Sequence, residues 1–156
     1  MLLKRTLGFC TGILLFFLSS LAHSDDNAAI IQWTQQTLLQ ALSVSYEELQ
    51  SKTPRAIKAN FTQDGWEGMT TFFANYIQEV VSQKLSLHPV LIGNGAIVKS
   101  GIVNDSNFFD GIPYWLVTQT LTVPELSLTI DFAVIVIKTS SNRYLIQSLN
   151  INERTS

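Results

Sequence analysis

Between Asp25 and Leu42 the chain reads DDNAAIIQWTQQTLLQAL. Ile30, Ile31, Leu38, Ala41 and Leu42 return to one side at helical spacing, with Trp33 at the margin. The pattern predicts a helix over 25–42, with Asp25 and Asp26 at the positive end of its dipole. Ser45 and Glu48 then stand three apart, as a capping box requires. The short helix they start cannot pass cleanly through Thr53-Pro54, because the residue before proline avoids the helical region. A new turn can begin at Pro54 and run to about Asn60. Thr62 is a good N-cap, and Asp64 lies in the first turn behind it. Trp66, Met69, Phe73, Ile77 and Val80 follow at 3-4-4-3 spacing. They predict a helix over 63–83 that buries this stripe and breaks near Asn75.

After Lys84 the period changes from 3.6 to 2. Strands are expected at 85–92, 96–103, 113–123, 126–138 and 143–151. Turn residues separate them at Gly93-Asn94-Gly95, at 104–111, at Pro124-Glu125 and at Ser140-Ser141-Asn142. Gly93-Asn94-Gly95 joins strand to strand, so it reads as a hairpin turn. It lacks the third glycine and the following helix of a dinucleotide-binding loop. Short connectors imply antiparallel neighbours. Helices followed by a meandering sheet make an α+β domain with its helices on one face.

The first 24 residues differ from the rest. Lys4 and Arg5 precede an apolar run from Leu7 to Leu21, and Ala22-His23-Ser24 follows. That is the order of a secretory signal peptide, with cleavage expected after Ser24. The run is shorter than the roughly 20 residues that cross a bilayer as a helix. A retained anchor in the inner membrane is the alternative. The expected organisation is a signal peptide at 1–24 and one domain at 25–156, long enough for a core.

Cys10 is the only cysteine, so the domain beyond it uses no disulfide. Residues 25–156 carry eight basic and twelve acidic side chains, a net charge of −4. A nucleic-acid partner is not expected of such a surface, since phosphate binding needs a basic face.

Catalytic chemistry has few candidates. His88 is the one histidine after His23, which with no cysteine leaves no ordinary zinc cluster. No nucleophile elbow accompanies it, and it reads as a surface or edge-strand residue. Asp131 interrupts the longest β run. Among apolar neighbours it could have a raised pKa and serve as a base. Simple alternation instead puts Thr129 and Asp131 on the wet face, with Ile130 and Phe132 inward. Tyr114 and Trp115 read as core aromatics at a strand start. No catalytic, cofactor-binding or metal site is expected.

Several segments in this order resemble one family. YEELQSKTPRAIKANFTQDGWEGM, a helix ending in SQKLSL, and strands ending in DFAVIVIKT are similar to the DotI/IcmL family. Its members are inner-membrane components of type IV secretion in Gram-negative bacteria, related to conjugation proteins. Phe61-Thr62-Gln63-Asp64-Gly65-Trp66-Glu67 is the most specific match, although the family commonly has proline where Gln63 stands. The resemblance covers about 25–151. It implies a nuclear transport factor 2-like (cystatin-like) fold, with helices over a curved antiparallel sheet. Apparatus members of the family carry a cytoplasmic start and a full membrane helix. This chain has a short apolar run instead, so the resemblance implies an apparatus component or a shortened paralogue.

The expected function is therefore non-enzymatic assembly in the periplasm, with other secretion proteins or a second copy as partner. The alternatives are a small-ligand-binding or isomerase-like protein relying on Asp131, and a secreted factor. Phe61, Thr62, Asp64, Gly65 and Trp66 are expected to form a structural joint, with Trp66 pinning the helix to the sheet.

Overall fold

A computed structural model describes residues 11–51, 54–104 and 111–155, and within these the side chains from Asp26 to Arg154. The apolar start, Cys10, the side chains around Ser24 and most of the 104–111 loop lie outside the described residues. Two compact units are distinguished, Met1–Ile30 and Ile31–Ser156. Among the described residues no helix is long and apolar enough to cross a membrane.

Helix α1 is Thr11–Leu42, so Asp25 and Asp26 lie inside it rather than at its start. In the second unit its residues Thr34, Thr37, Leu38, Ala41 and Leu42 are buried, while Gln32, Gln36 and Gln40 face water. The Arg55 guanidinium closes its C-terminus, donating to the carbonyls of Gln40, Ala41 and Ser43 at 2.7, 2.7 and 2.9 Å. These are the acceptors a helix end leaves without partners, and a cation suits the negative end of the dipole. Burial pulls the Arg55 pKa below its ordinary value, against the pull of Glu48.

Helix α2 (Tyr46–Gln50) starts with the capping box: the Glu48 N–H donates to Ser45 Oγ, and the Ser45 N–H to Glu48 Oε2. A 3₁₀ turn, Ala56–Asn60, leads to α3 (Gln63–Ala74) and α4 (Ile77–Gln83). The break between α3 and α4 falls at Asn75-Tyr76, and Lys84 ends α4 in the left-handed region, at φ 51°.

Four strands form one antiparallel sheet in the order β1 (Val90–Ile102), β2 (Pro113–Val123), β3 (Leu128–Lys138), β4 (Tyr144–Thr155). Alternation decides the faces. Val117, Leu121 and Val123 of β2, Leu128, Ile130, Phe132, Val134 and Val136 of β3, and Ile146 of β4 are buried. Their neighbours Thr118, Thr120, Asp131 and Asn150 stand on the other face, half-buried or exposed. Helices on one side of an open four-stranded sheet make the α+β arrangement expected.

Two expectations fail in the sheet. Residues 85–89 are not a strand. Leu87 instead donates its N–H to Val44, and Tyr46 to Leu85, bonding this stretch to the loop after α1. Pro89 has no donor for a ladder and stands just before the strand begins.

Gly93-Asn94-Gly95 is also no hairpin. Ile92 pairs with Thr120 and Ala96 with Thr118, so three residues of one continuous strand bulge opposite Gln119. Gly93 takes φ +67°, open to glycine without strain. A Cβ on Gly95 would stand 2.8 Å from Ile31 Cγ2 and 2.9 Å from Gln119 Oε1. The buried Gln119 side chain fills the bulge. Its Nε2 donates to the carbonyls of Ile92 and Thr120, and its Oε1 accepts from Gln35 Nε2 at 2.7 Å.

Candidate functional site

The segment 61–66 joins the helices to the free edge of β4. The Thr62 hydroxyl accepts from the Gly65 N–H at 3.2 Å, which caps α3. The Thr62 N–H donates to the Ile146 carbonyl at 3.0 Å, and Phe61 forms a parallel bridge with Ile146. Asp64 stands in the first turn of α3, where negative charge is favoured. The Phe61 ring meets Trp66 edge-on at 5.3 Å. These residues occupy the two positions of a hydrophobic staple.

Gly65 makes the close approach. A Cβ there would collide with the Ile146 carbonyl oxygen and stand 3.3 Å from that of Gln147. Gly65, Met69 and Phe72 are buried at 4-3 spacing, and Phe72 meets Phe132 of β3 edge-on. The inner face of α3 is thus turned about one residue from the expected stripe.

That rotation corrects the expected role of Trp66. Trp66 and Phe73 are half-buried and Ile77 is exposed, so Trp66 does not pin α3 to the sheet. With Met69, Leu49 and Val44 they line a small apolar cleft of about 150 Å³ between the helices. Seating the helix on bare backbone at Gly65 brings Phe72 inward in place of Phe73.

Asp131 stands on the outer sheet face, as alternation implies. Its Oδ1 accepts from the Thr120 hydroxyl at 2.7 Å and from Arg154 Nη2 at 2.8 Å. Those two contacts hold its carboxyl below the usual range, the reverse of what a general base at neutral pH needs. It nevertheless borders an open groove of about 340 Å³ with Thr118, Asn94, Asn150 and Asn152.

His88 lies exposed just before β1, its Nδ1 2.8 Å from Glu125 Oε1. Burial alone would raise the Glu125 carboxyl. Backbone N–H groups and His88 bonded to it hold it lower. Trp115 and Trp33 both pack on the Tyr144 ring, at 6.0 and 5.5 Å, and Tyr114 is half-buried on the outer face. Tyr76 donates to the Glu153 carboxylate, and burial followed by that bond raises its pKa to about 12. Among the described residues no cluster of three metal-ligating side chains occurs.

The edge strand β1 presents four large apolar side chains to solvent: Val90, Ile92, Val98 and Ile102, each 45–59% exposed. Period-2 alternation could not reveal this, since it marks an apolar residue without saying whether anything covers it.

No protein-family model matches the chain, and no curated protein matches it. Solved structures do. The periplasmic domain of DotI superposes with a TM-score of 0.62 at 19% identity, over 81% of this chain and 94% of that one. The chain has the DotI/IcmL fold. A periplasmic fragment of TraM matches with a TM-score of 0.57 at 17% identity, over 83% of this chain and 98% of that one. An IcmL-like type IV secretion system protein from Legionella pneumophila matches at 0.57 and 12% identity, over 83% and 94%. In this DotI/IcmL fold, of the nuclear transport factor 2-like kind, the 61–66 joint and the outer-face groove are the built features of the present chain.

Proposed function

We propose that the protein is a non-enzymatic periplasmic component, or a shortened paralogue, of a type IV secretion apparatus of the DotI/IcmL kind, and that it acts by protein–protein assembly. The observation that carries this reading is the match in fold, over about four fifths of the chain, to the DotI domain and the IcmL-like secretion protein. The exposed apolar edge of β1 supports it, because an uncovered strand edge is a template for pairing with another chain. An isomerase-like role would need a carboxyl held neutral or poised as a base, and Asp131 is held the other way.

Residues 1–24 act as a cleaved signal in this proposal, and 25–156 is the working domain. Two measurements test it. N-terminal sequencing of protein recovered from the periplasm should begin at Asp25; an intact Met1 in the membrane fraction would make it an anchored component. Crosslinking in intact cells should capture secretion proteins or a second copy. Loss of the gene without any secretion defect, together with crosslinks to neither, would overturn the assembly role.

A further inference from the structure

The outer face of the sheet departs from strand composition most densely at one place. Two adjacent rungs cross it, Thr118–Ala133–Asn150 and Thr120–Asp131–Asn152. Asp, Asn and Ala are depleted in strands, where β-branched and aromatic residues fit the pleat. Further along the same face stand Leu116, paired with Ile135, and Tyr114, paired with Ile137, which are strand formers. The two rungs that line the groove of about 340 Å³, with Asn94 of the β1 bulge also at its border, hold Asp131, Asn150, Asn152 and Ala133 together, whereas Lys99 and Gly101 of β1 stand singly further along the face. Places where local composition contradicts an otherwise consistent fold are where function is to be sought.

The chemistry of the lining selects a ligand class. The three carboxamides each offer both donors and acceptors; the hydroxyls of Thr118 and Thr120 already donate to the Ala96 carbonyl and to Asp131, so they and Asp131 offer acceptors. Asp131 is held in place by Thr120 and Arg154, so its geometry is set before anything binds. An anion would find no cation in the lining, and Arg154 beside it is already paired with Asp131. A metal ion lacks a second carboxylate, since no ligating cluster exists among the described residues. A peptide adding as a strand needs an open edge, and this is a face. Hydroxyl groups on a neutral ring both donate and accept, and pair side by side with planar amides and a carboxylate. The volume lies at the small end of the roughly 300–1,000 Å³ typical of small-molecule sites.

We infer that this groove is a binding site for a neutral saccharide, held by Asp131, Asn150 and Asn152 over the floor made by Ala133. The site is on the sheet face opposite the helices and does not depend on the assembly reading.

The test is a ¹H–¹⁵N NMR titration of the protein with two neutral probes, chitotriose and cellotriose. At least one should bind with a dissociation constant in the roughly millimolar range or tighter. It should shift the Asn150 and Asn152 side-chain amides and the 131–133 backbone. Ala133→Leu should fill the floor and abolish the shifts at an unchanged melting temperature. Asn152→Ala, an exposed change that keeps the fold, should weaken binding about fivefold, the loss of one hydrogen bond. Absence of shifts with both probes overturns the site. So do shifts that map elsewhere, or that persist unchanged in both variants.

Discussion

At the β4 edge of the sheet, Thr62 donates its N–H to Ile146, and Gly65 lets α3 sit against the same carbonyl. At the β1 edge, four large apolar side chains stand in water. Both edges face the same difficulty, unpaired backbone groups that invite another chain. At β4 the chain supplies cover of its own at Ile146, through the short segment 61–66. At β1 the described residues supply no such cover, and the strand departs twice from regular pairing, at Ile92/Ala96 and Ile97/Lys99. Bulges of this kind bend an edge and interrupt pairing without removing it. The assembly proposed above would need one edge covered and another reachable, and this sheet has that asymmetry.

The largest test of the sealed edge is Gly65→Ala. The added methyl has backbone on its path rather than a flexible side chain, so helix and strand must part. The expected cost is about 3 kcal/mol, the upper end for overpacking, read as a large drop in the melting temperature. A variant that melts like wild type would mean that Gly65 does not set the approach. Trp66→Ala comes second. A fully buried indole would cost about 3–5 kcal/mol. Trp66 is only half-buried and packs on Phe61, so about 2 kcal/mol or less is expected. A Trp66 loss larger than the Gly65 loss would reverse their ranking in the joint. Thr62→Ala removes one cap and should cost about 1 kcal/mol, while Thr62→Ser should restore most of it. Equal melts for the alanine and serine variants would show that the hydroxyl contributes nothing.

How much of this was legible in the sequence depends on how local each cause is. Ser45 and Glu48, or Thr62 and the N–H of Gly65, lie within one turn of each other, so the residue types alone carry the caps. The packing of Phe61 on the helix it precedes is likewise legible, since it stands just before the cap, where a staple residue belongs. Gly93-Asn94-Gly95 was not. The same three residues suit a chain reversal or a bulge, and the choice rests on Gln119, whose side chain fills the bulge from the next strand. The face of α3 was misjudged for a related reason. Its apolar positions form a band wide enough to include both Phe72 and Phe73, and the glycine that seats the helix decides which one goes inward. Asp131 was read as a wet-face residue, which it is. The groove beside it became visible only once register placed Asn150 and Asn152 on the same rungs.

The smallest effect on stability, and the sharpest test of the asymmetry, belongs to the open edge. Ile92→Lys with Val98→Lys puts two charges on β1, the device by which natural edges refuse partners. Both side chains are already about half in water or more, at 45% and 58% exposure, so little apolar burial is lost. The fold should hold to within about 0.5 kcal/mol, as surface changes usually do. Contacts made through this edge should fall steeply, because charges would have to be desolvated beside an incoming strand. Thermal melts set beside crosslinking yields in cells separate the outcomes. An unchanged melt with lost crosslinks locates the assembly contact on β1. An unchanged melt with unchanged crosslinks moves that contact to another face and leaves β1 an edge guarded by its bulges alone. A large drop in the melt would mean that these side chains belong to the core, and the difference between the two edges would vanish.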